Sequence, residues 1–92
     1  MNFNHQNKLI LITGASSGIG YNSAIEFCNK GVKLALVGRS KEKLYELKKK
    51  IKVENKDVEY FICDLENIDS LENLIQRIES HFNQSIDIFI HC

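Results

Sequence analysis

The chain has 92 residues, 43% hydrophobic and 26% charged, the profile of one small globular domain rather than a disordered tail. Twelve Lys and Arg balance twelve Asp and Glu, so no net field recommends a nucleic acid or an anionic membrane as partner. The apolar runs at 9–12 and 34–37 fall far short of the ~20 residues of a membrane-crossing helix.

The opening residues 1–8 are polar and carry no secretory signal. Residues 9–13, Leu-Ile-Leu-Ile-Thr, then form a short β-branched run, which predicts a strand buried on both faces, as in a parallel sheet. After Gly14, Gly18 and Gly20 comes a helix reaching about Lys30, with Ile19, Ala24, Ile25 and Cys28 on one face and Gly31 suited to a left-handed closing position. Residues 33–38 predict a second buried strand, and 41–52 an amphipathic helix carrying Leu44, Leu47 and Ile51. A third strand spans 58–63, with Asp64 just beyond it. Asp69 and Glu72 have capping-box spacing, and Leu71, Leu74, Ile75, Ile78 and Phe82 continue a third helix. Residues 86–92 alternate into a fourth strand.

Strands alternating with helices predict an α/β fold of three layers, Rossmann-like, on a parallel sheet with right-handed crossovers. The first two helices cover one face and the third returns across, giving strand order 3-2-1-4. The carboxyl ends of the strands then form a crevice at Thr13-Gly14, Gly38-Arg39, Asp64 and His91-Cys92. Cys28, Cys63 and Cys92 are odd in number and lack Cys-x-x-Cys spacing, so disulfide frameworks and zinc sites are disfavoured and a reducing, cytoplasmic setting is expected.

The glycines carry the first functional signal. Gly14 permits a tight exit from the strand, Gly18 lets a pyrophosphate approach the backbone, and Gly20 allows close packing of helix on sheet. The helix start adds unpaired N–H groups and partial positive charge for an anion, and the hydroxyls of Ser16 and Ser17 are further candidate donors. This placement between strand and helix points to a dinucleotide. Residues 1–92 are therefore expected to form a partial NAD(P)-binding domain behind a polar tail at 1–7.

Thr13-Gly14-Ala15-Ser16-Ser17-Gly18-Ile19-Gly20 resembles the T-G-x-x-x-G-x-G loop of the short-chain dehydrogenase/reductase family. Asp64-Leu65 resembles the family's adenine-binding Asp and its neighbour, and 86–90 the strand before its N-N-A-G motif. His91-Cys92 stands where the family commonly has Asn-Asn, so only a backbone contact to the cofactor is carried over to His91. The resemblance implies hydride transfer between nicotinamide and a carbonyl or alcohol, for example a 3-oxoacyl carrier-protein ketone, and homo-oligomeric full-length relatives.

NAD-binding folds often place an acid after the second strand to hold the ribose hydroxyl. Here Gly38-Arg39-Ser40-Lys41 stands instead, and Arg39 suits a 2′-phosphate through its planar fork of donors. NADP(H) is expected over NAD(H), with Ser40 and Lys41 assisting Arg39. The family's catalytic Ser and Tyr-x-x-x-Lys are not found at their place. Tyr45 and Lys49 match the spacing by chance, in the helix before the third strand. His5, His81 and His91 form no hydrolase triad, and no cluster suggests a metal. The sequence therefore reads as the N-terminal part of a reductase, truncated after the fourth strand, with an open edge inviting self-association. The alternative is a noncatalytic nucleotide-binding module or a nonfunctional remnant.

Overall fold

The computed structural model describes residues 6–64, 66 and 68–92. Its elements run β1 (Leu9–Thr13), α1 (Gly18–Phe27), β2 (Lys33–Gly38), α2 (Lys41–Lys52), β3 (Val58–Ile62), α3 (Ile68–Phe82) and β4 (Ile88–His91). All strand pairings are parallel and the order is β3-β2-β1-β4, as the alternating pattern predicts.

Strand composition follows position in that order. In β1 every residue is buried, and in β2 every residue after Lys33, because the two central strands are covered on both faces. The edge strand β4 alternates between half-buried and exposed. Ile10, Ile12, Leu34 and Leu36 pack with Ala24 of α1 and Leu44, Leu47 and Ile51 of α2. Leu9, Leu11, Ala35 and Val37 pack on the opposite face with Phe61, Leu74 and Ile78, the last two from α3. Two helices on one face and one on the other make the three layers.

Register is fixed at both ends of the β1–β4 pair. At the lower end the Leu9 amide donates to Asp87 Oδ2 and the Asp87 amide to the Leu9 carbonyl, both at 2.9 Å. At the upper end Thr13 lies opposite His91. Among the described residues no strand pairs the outer edge of β4, where Phe89 is 52% exposed. Asn7, the last residue of the expected tail, donates its amide to the Gly31 carbonyl at 2.8 Å, and its carbonyl accepts from Gln84 Nε2 at 3.0 Å.

Several boundaries differ from expectation, among them that of β3, which ends at Ile62 rather than at Cys63. The helix α1 stops at Phe27, three residues early, and turns bonded Cys28 to Ile25 and Lys30 to Phe27 carry the chain to Gly31 at φ 71°. The helix α3 begins at Ile68, so Asp69 lies inside the first turn rather than capping it; there its carboxylate complements the helix dipole. The β4 ladder covers only Ile88–His91, because the Ile86 amide turns to Glu79 Oε2 at 2.9 Å.

Candidate cofactor-binding site

At the carboxyl end of the sheet the turns after β1, β2 and β3 and the end of β4 enclose an open cleft of about 680 Å³. Its lining includes Gly14, Ser16, Ser17, Arg39, Ser40, Asp64 and His91, seven of the residues expected from sequence. Leu65 and His5 lie outside the described residues.

The turn after β1 is shaped by its glycines, each for a different reason. Gly14 has φ 66°, a left-handed conformation that disfavours side chains, and a Cβ there would meet the Cys92 carbonyl oxygen at 2.6 Å. A Cβ on Gly20 would sit 2.1 Å from the Gly14 carbonyl oxygen, so α1 rests directly on the turn it leaves. Around Gly18 nothing lies within 4 Å of a Cβ, and its φ is not positive. No neighbour among the described residues therefore requires glycine at 18.

Accounting for the amides separates structure from site. Ala15 donates to the Val37 carbonyl at 3.0 Å, Ser17 to Gly14 at 2.9 Å, and Tyr21 to Ser17 at 2.8 Å. Gly20 donates to Ser17 Oγ at 3.3 Å. The amides of Ser16, Gly18 and Ile19 have no acceptor among the described residues. Two of them open α1, where the orphan N–H groups and the dipole favour an anion. Ile19, expected on the apolar face with Ala24 and Cys28, is instead 74% exposed, because it sits at the open start of α1, and neither it nor Gly18 is part of the cleft lining. Ser17, expected as a phosphate donor, is already committed: its hydroxyl donates to the Gly14 carbonyl at 2.6 Å and accepts from Gly20. It is the N-cap of α1, which leaves Ser16, half-buried on the lining, as the free hydroxyl of the turn.

The second wall comes from the turn between β2 and α2. Ser40 caps α2, accepting from the Lys43 amide at 3.3 Å. Gly38 brings the two turns together, since a Cβ there would meet Ser16 Oγ at 3.0 Å. Arg39 lines the cleft but makes no ion pair among the described residues, and Lys43 lines it too. Lys41, expected as a helper, is exposed and outside the lining. Across the cleft stand Asp64 and Glu66, the first accepting from the amide of the second at 3.1 Å. His91 is held from below: its Nδ1 shares a 2.8 Å hydrogen bond with the fully buried hydroxyl of Thr13.

Sequence reasoning missed Lys43, Cys63 and Glu66. For Lys43 the available signal is its place three residues after a capping serine, in the first turn of a helix that leaves the crevice. Tyr45 and Lys49, rejected as a catalytic pair, lie off the cleft lining, with Lys49 Nζ 4.9 Å from the Tyr45 ring centroid. Burial and the Glu54 carboxylate push the Cys28 thiol up, which makes it a poor nucleophile.

Comparison with known proteins identifies the architecture. A family model described as short chain dehydrogenase matches residues 8–92. An uncharacterized oxidoreductase of Staphylococcus saprophyticus is 39% identical over 88 residues, and the alignment covers 94% of this chain and 37% of that protein. A short chain dehydrogenase from Shigella flexneri, solved in complex with NADP, is 32% identical with a TM-score of 0.83, covering 99% of this chain and 39% of that one. A short chain dehydrogenase/reductase from Burkholderia phymatum, in complex with NAD, shares the fold with a TM-score of 0.83 at 24% identity, covering 91% of this chain and 30% of that one. The chain thus spans well under half the length of these relatives. With its family model matched from the first strand onward, its sheet in the order 3-2-1-4 and its glycine turn at the mouth of the crevice, this chain belongs to the short-chain dehydrogenase/reductase family of Rossmann-type oxidoreductases.

Proposed function

We propose that the cleft holds NADP(H) in preference to NAD(H), and that the chain is the cofactor-binding part of an oxidoreductase acting on a carbonyl or alcohol. The observation that carries this reading is the pair of amides at Gly18 and Ile19 with no acceptor among the described residues, Gly18 being a glycine that no described neighbour requires. A diphosphate supplies the acceptors, and its approach supplies the reason for glycine. Ser16 offers its free hydroxyl to the same group.

The two side walls orient what extends from the diphosphate. Arg39 meets the 2′-phosphate with charge-assisted hydrogen bonds. Asp64 accepts from the exocyclic amine of adenine, with Leu65 beside the ring. The His91 backbone faces the nicotinamide side. When bound, the nicotinamide gives or takes the hydride exchanged with the substrate carbon, and a 3-oxoacyl carrier-protein ketone is one substrate of that class. Three free cysteines support a reducing, cytoplasmic setting.

A second reading, a nucleotide-binding unit without turnover of its own, is favoured by the cleft lining, which contains no tyrosine among the described residues. Assaying NADPH oxidation by this chain with ketone substrates tests the second reading: none is expected, and turnover overturns it. The primary test is Gly18→Val. The side chain enters open space, so the denaturation midpoint is expected to stay put. Blocking the diphosphate removes NADPH binding, read by quenching or enhancement of cofactor fluorescence, by about tenfold or more. Unchanged affinity in a folded Gly18→Val protein overturns the reading.

A further inference from the structure

The sheet has two outer edges, β3 and β4, and they are finished differently. The residues flanking β3 fix which of its groups face β2: the Asp57 carbonyl takes the Leu34 amide at 2.8 Å, and the Cys63 amide reaches the Gly38 carbonyl at 3.0 Å. By alternation Glu59 and Phe61 also bond inward, and the amides and carbonyls of Val58, Tyr60 and Ile62 face outward. Such an outward row is a template for another strand. Tyr60, the middle residue of β3, does not leave its amide open; it donates to Oε1 of the neighbouring Glu59 at 2.9 Å. The same oxygen takes Lys48 Nζ of α2 at 2.8 Å, and Oε2 lies 4.0 Å from His81 Nε2 of α3. The helices α2 and α3 cover opposite faces of the sheet, so this carboxylate sits at the rim between the two layers. The side chains of Glu59 and Lys48 are only 25% and 20% exposed, and Lys48 Nζ also stands 5.6 Å from the Tyr60 ring centroid. The opposite edge, β4, reads Ile-Phe-Ile-His and has no such carboxylate.

We propose that Glu59 guards this edge: its carboxylate occupies the central outward amide of β3 and so keeps a second copy of the chain from pairing there. The strand it excludes is β3 of that copy, run antiparallel about a two-fold axis. A pair centred on Tyr60 would exchange both amide–carbonyl bonds between the two tyrosines. For that, each Glu59 must give up the Tyr60 amide and keep its charge beside the joint, opposite Phe61 of the other copy and diagonal to the second Glu59. The guard acts on assembly and is independent of the reading of the cleft.

The test compares the unaltered full chain with Glu59→Thr, Glu59→Gln and the double variant Glu59→Thr/Ile62→Lys. Sedimentation equilibrium over a range of concentrations reads self-association against its level in the unaltered chain. Glu59→Thr should strengthen it about tenfold, and Glu59→Gln, which keeps an oxygen for the Tyr60 amide, about threefold. Ile62 is 43% exposed on the same strand, so a lysine fits there and returns a charge to the edge; the double variant should fall back to the unaltered level. In dilute solution the Tyr60 amide should exchange with solvent about fivefold faster in Glu59→Thr than in the unaltered chain. Unchanged association in whichever single variants fold, read by circular dichroism, overturns the guard. A gain that Ile62→Lys does not reverse overturns it too, since the copies then meet through another surface. Equal Tyr60 exchange with and without the carboxylate overturns it without any measure of association.

Discussion

Two adjoining turns line the cleft, and they solve the same local problem with different materials. Each joins a buried central strand to a helix, and each helix is capped by a serine accepting an amide at 3.3 Å, Ser17 from Gly20 and Ser40 from Lys43. The first turn is then made of backbone pressed on backbone, with positive φ at Gly14 and no room for a Cβ at Gly20. The second has a single close glycine, Gly38, and presents the side chains of Arg39 and Lys43. A surface made of packed backbone has little freedom to vary, whereas one made of exposed side chains can change its charge without moving the fold. On the proposed reading, anion binding belongs to the rigid turn and discrimination between anions to the adjustable one.

The sharpest break in that comparison is Gly20→Ala. In an ordinary helix the change would gain about 1 kcal/mol of propensity. Here the added carbon would lie 2.1 Å from the Gly14 carbonyl oxygen and 2.8 Å from the Ala15 Cα. Both neighbours are backbone, so α1 must lift off the turn, at the upper end of or beyond the about 1–3 kcal/mol typical of overpacking. A net loss of about 2 kcal/mol in urea-denaturation stability is expected, together with loss of cofactor binding. A stable Gly20→Ala protein would show that α1 does not rest on this turn.

Next in size is Arg39→Asp, which acts on the adjustable turn alone. Arg39 is exposed and bonds no side chain among the described residues, so stability should hold. Hydrogen bonds to charged groups contribute about 1.5–3 kcal/mol, so the NADPH/NADH affinity ratio should fall by about tenfold or more, with repulsion from the new carboxylate adding to the loss. Competitive titration with the two cofactors reads the ratio. If it stays constant, the wall at Arg39 does not select the cofactor.

How much of this was legible before the structure depended on what fixed each feature. The limits of β1, β2 and α2 coincide with the predicted spans because local signals set them: unbroken apolar runs for the two covered strands, and Ser40 before an amphipathic repeat for the helix. The strand order followed from alternation and handedness. The end of α1 was less legible, since the last apolar residue, Cys28, is buried from a turn rather than from the helix. Ser17 shows the difficulty at the site. Its sequence position gives a hydroxyl beside a glycine loop, and only the folded turn reveals that the hydroxyl is consumed by Gly14 and Gly20. Lys43 and Glu66 were missed because their direction depends on how the chain leaves β2 and β3 over the sheet, a tertiary matter that periodicity does not encode.

The smallest expected effect lies at the edge strand, outside the cleft lining, and so tests whether the cleft is insulated from charge elsewhere. Glu59 of β3 takes Lys48 Nζ of α2 at 2.8 Å and has His81 Nε2 of α3 at 4.0 Å, so one carboxylate links both helix layers. Burial pushes its carboxyl up, but the Lys48 hydrogen bond, the Tyr60 amide at 2.9 Å and the charges of Lys48 and His81 together hold it below the usual glutamate range. A carboxylate whose folded-state value lies below its unfolded one contributes stability above the unfolded value, and that contribution disappears as pH falls through the folded one. The unaltered chain should therefore exceed Glu59→Gln by about 0.2–1 kcal/mol near neutral pH, a partly exposed pair being weak. The gap should close in strong acid, once the folded carboxyl is protonated too. Urea midpoints across the acid range measure it, and the cofactor dissociation constants of Glu59→Gln should equal those of the unaltered chain. A gap independent of pH would mean that packing, not the ion pair, holds α2 and α3 to this edge.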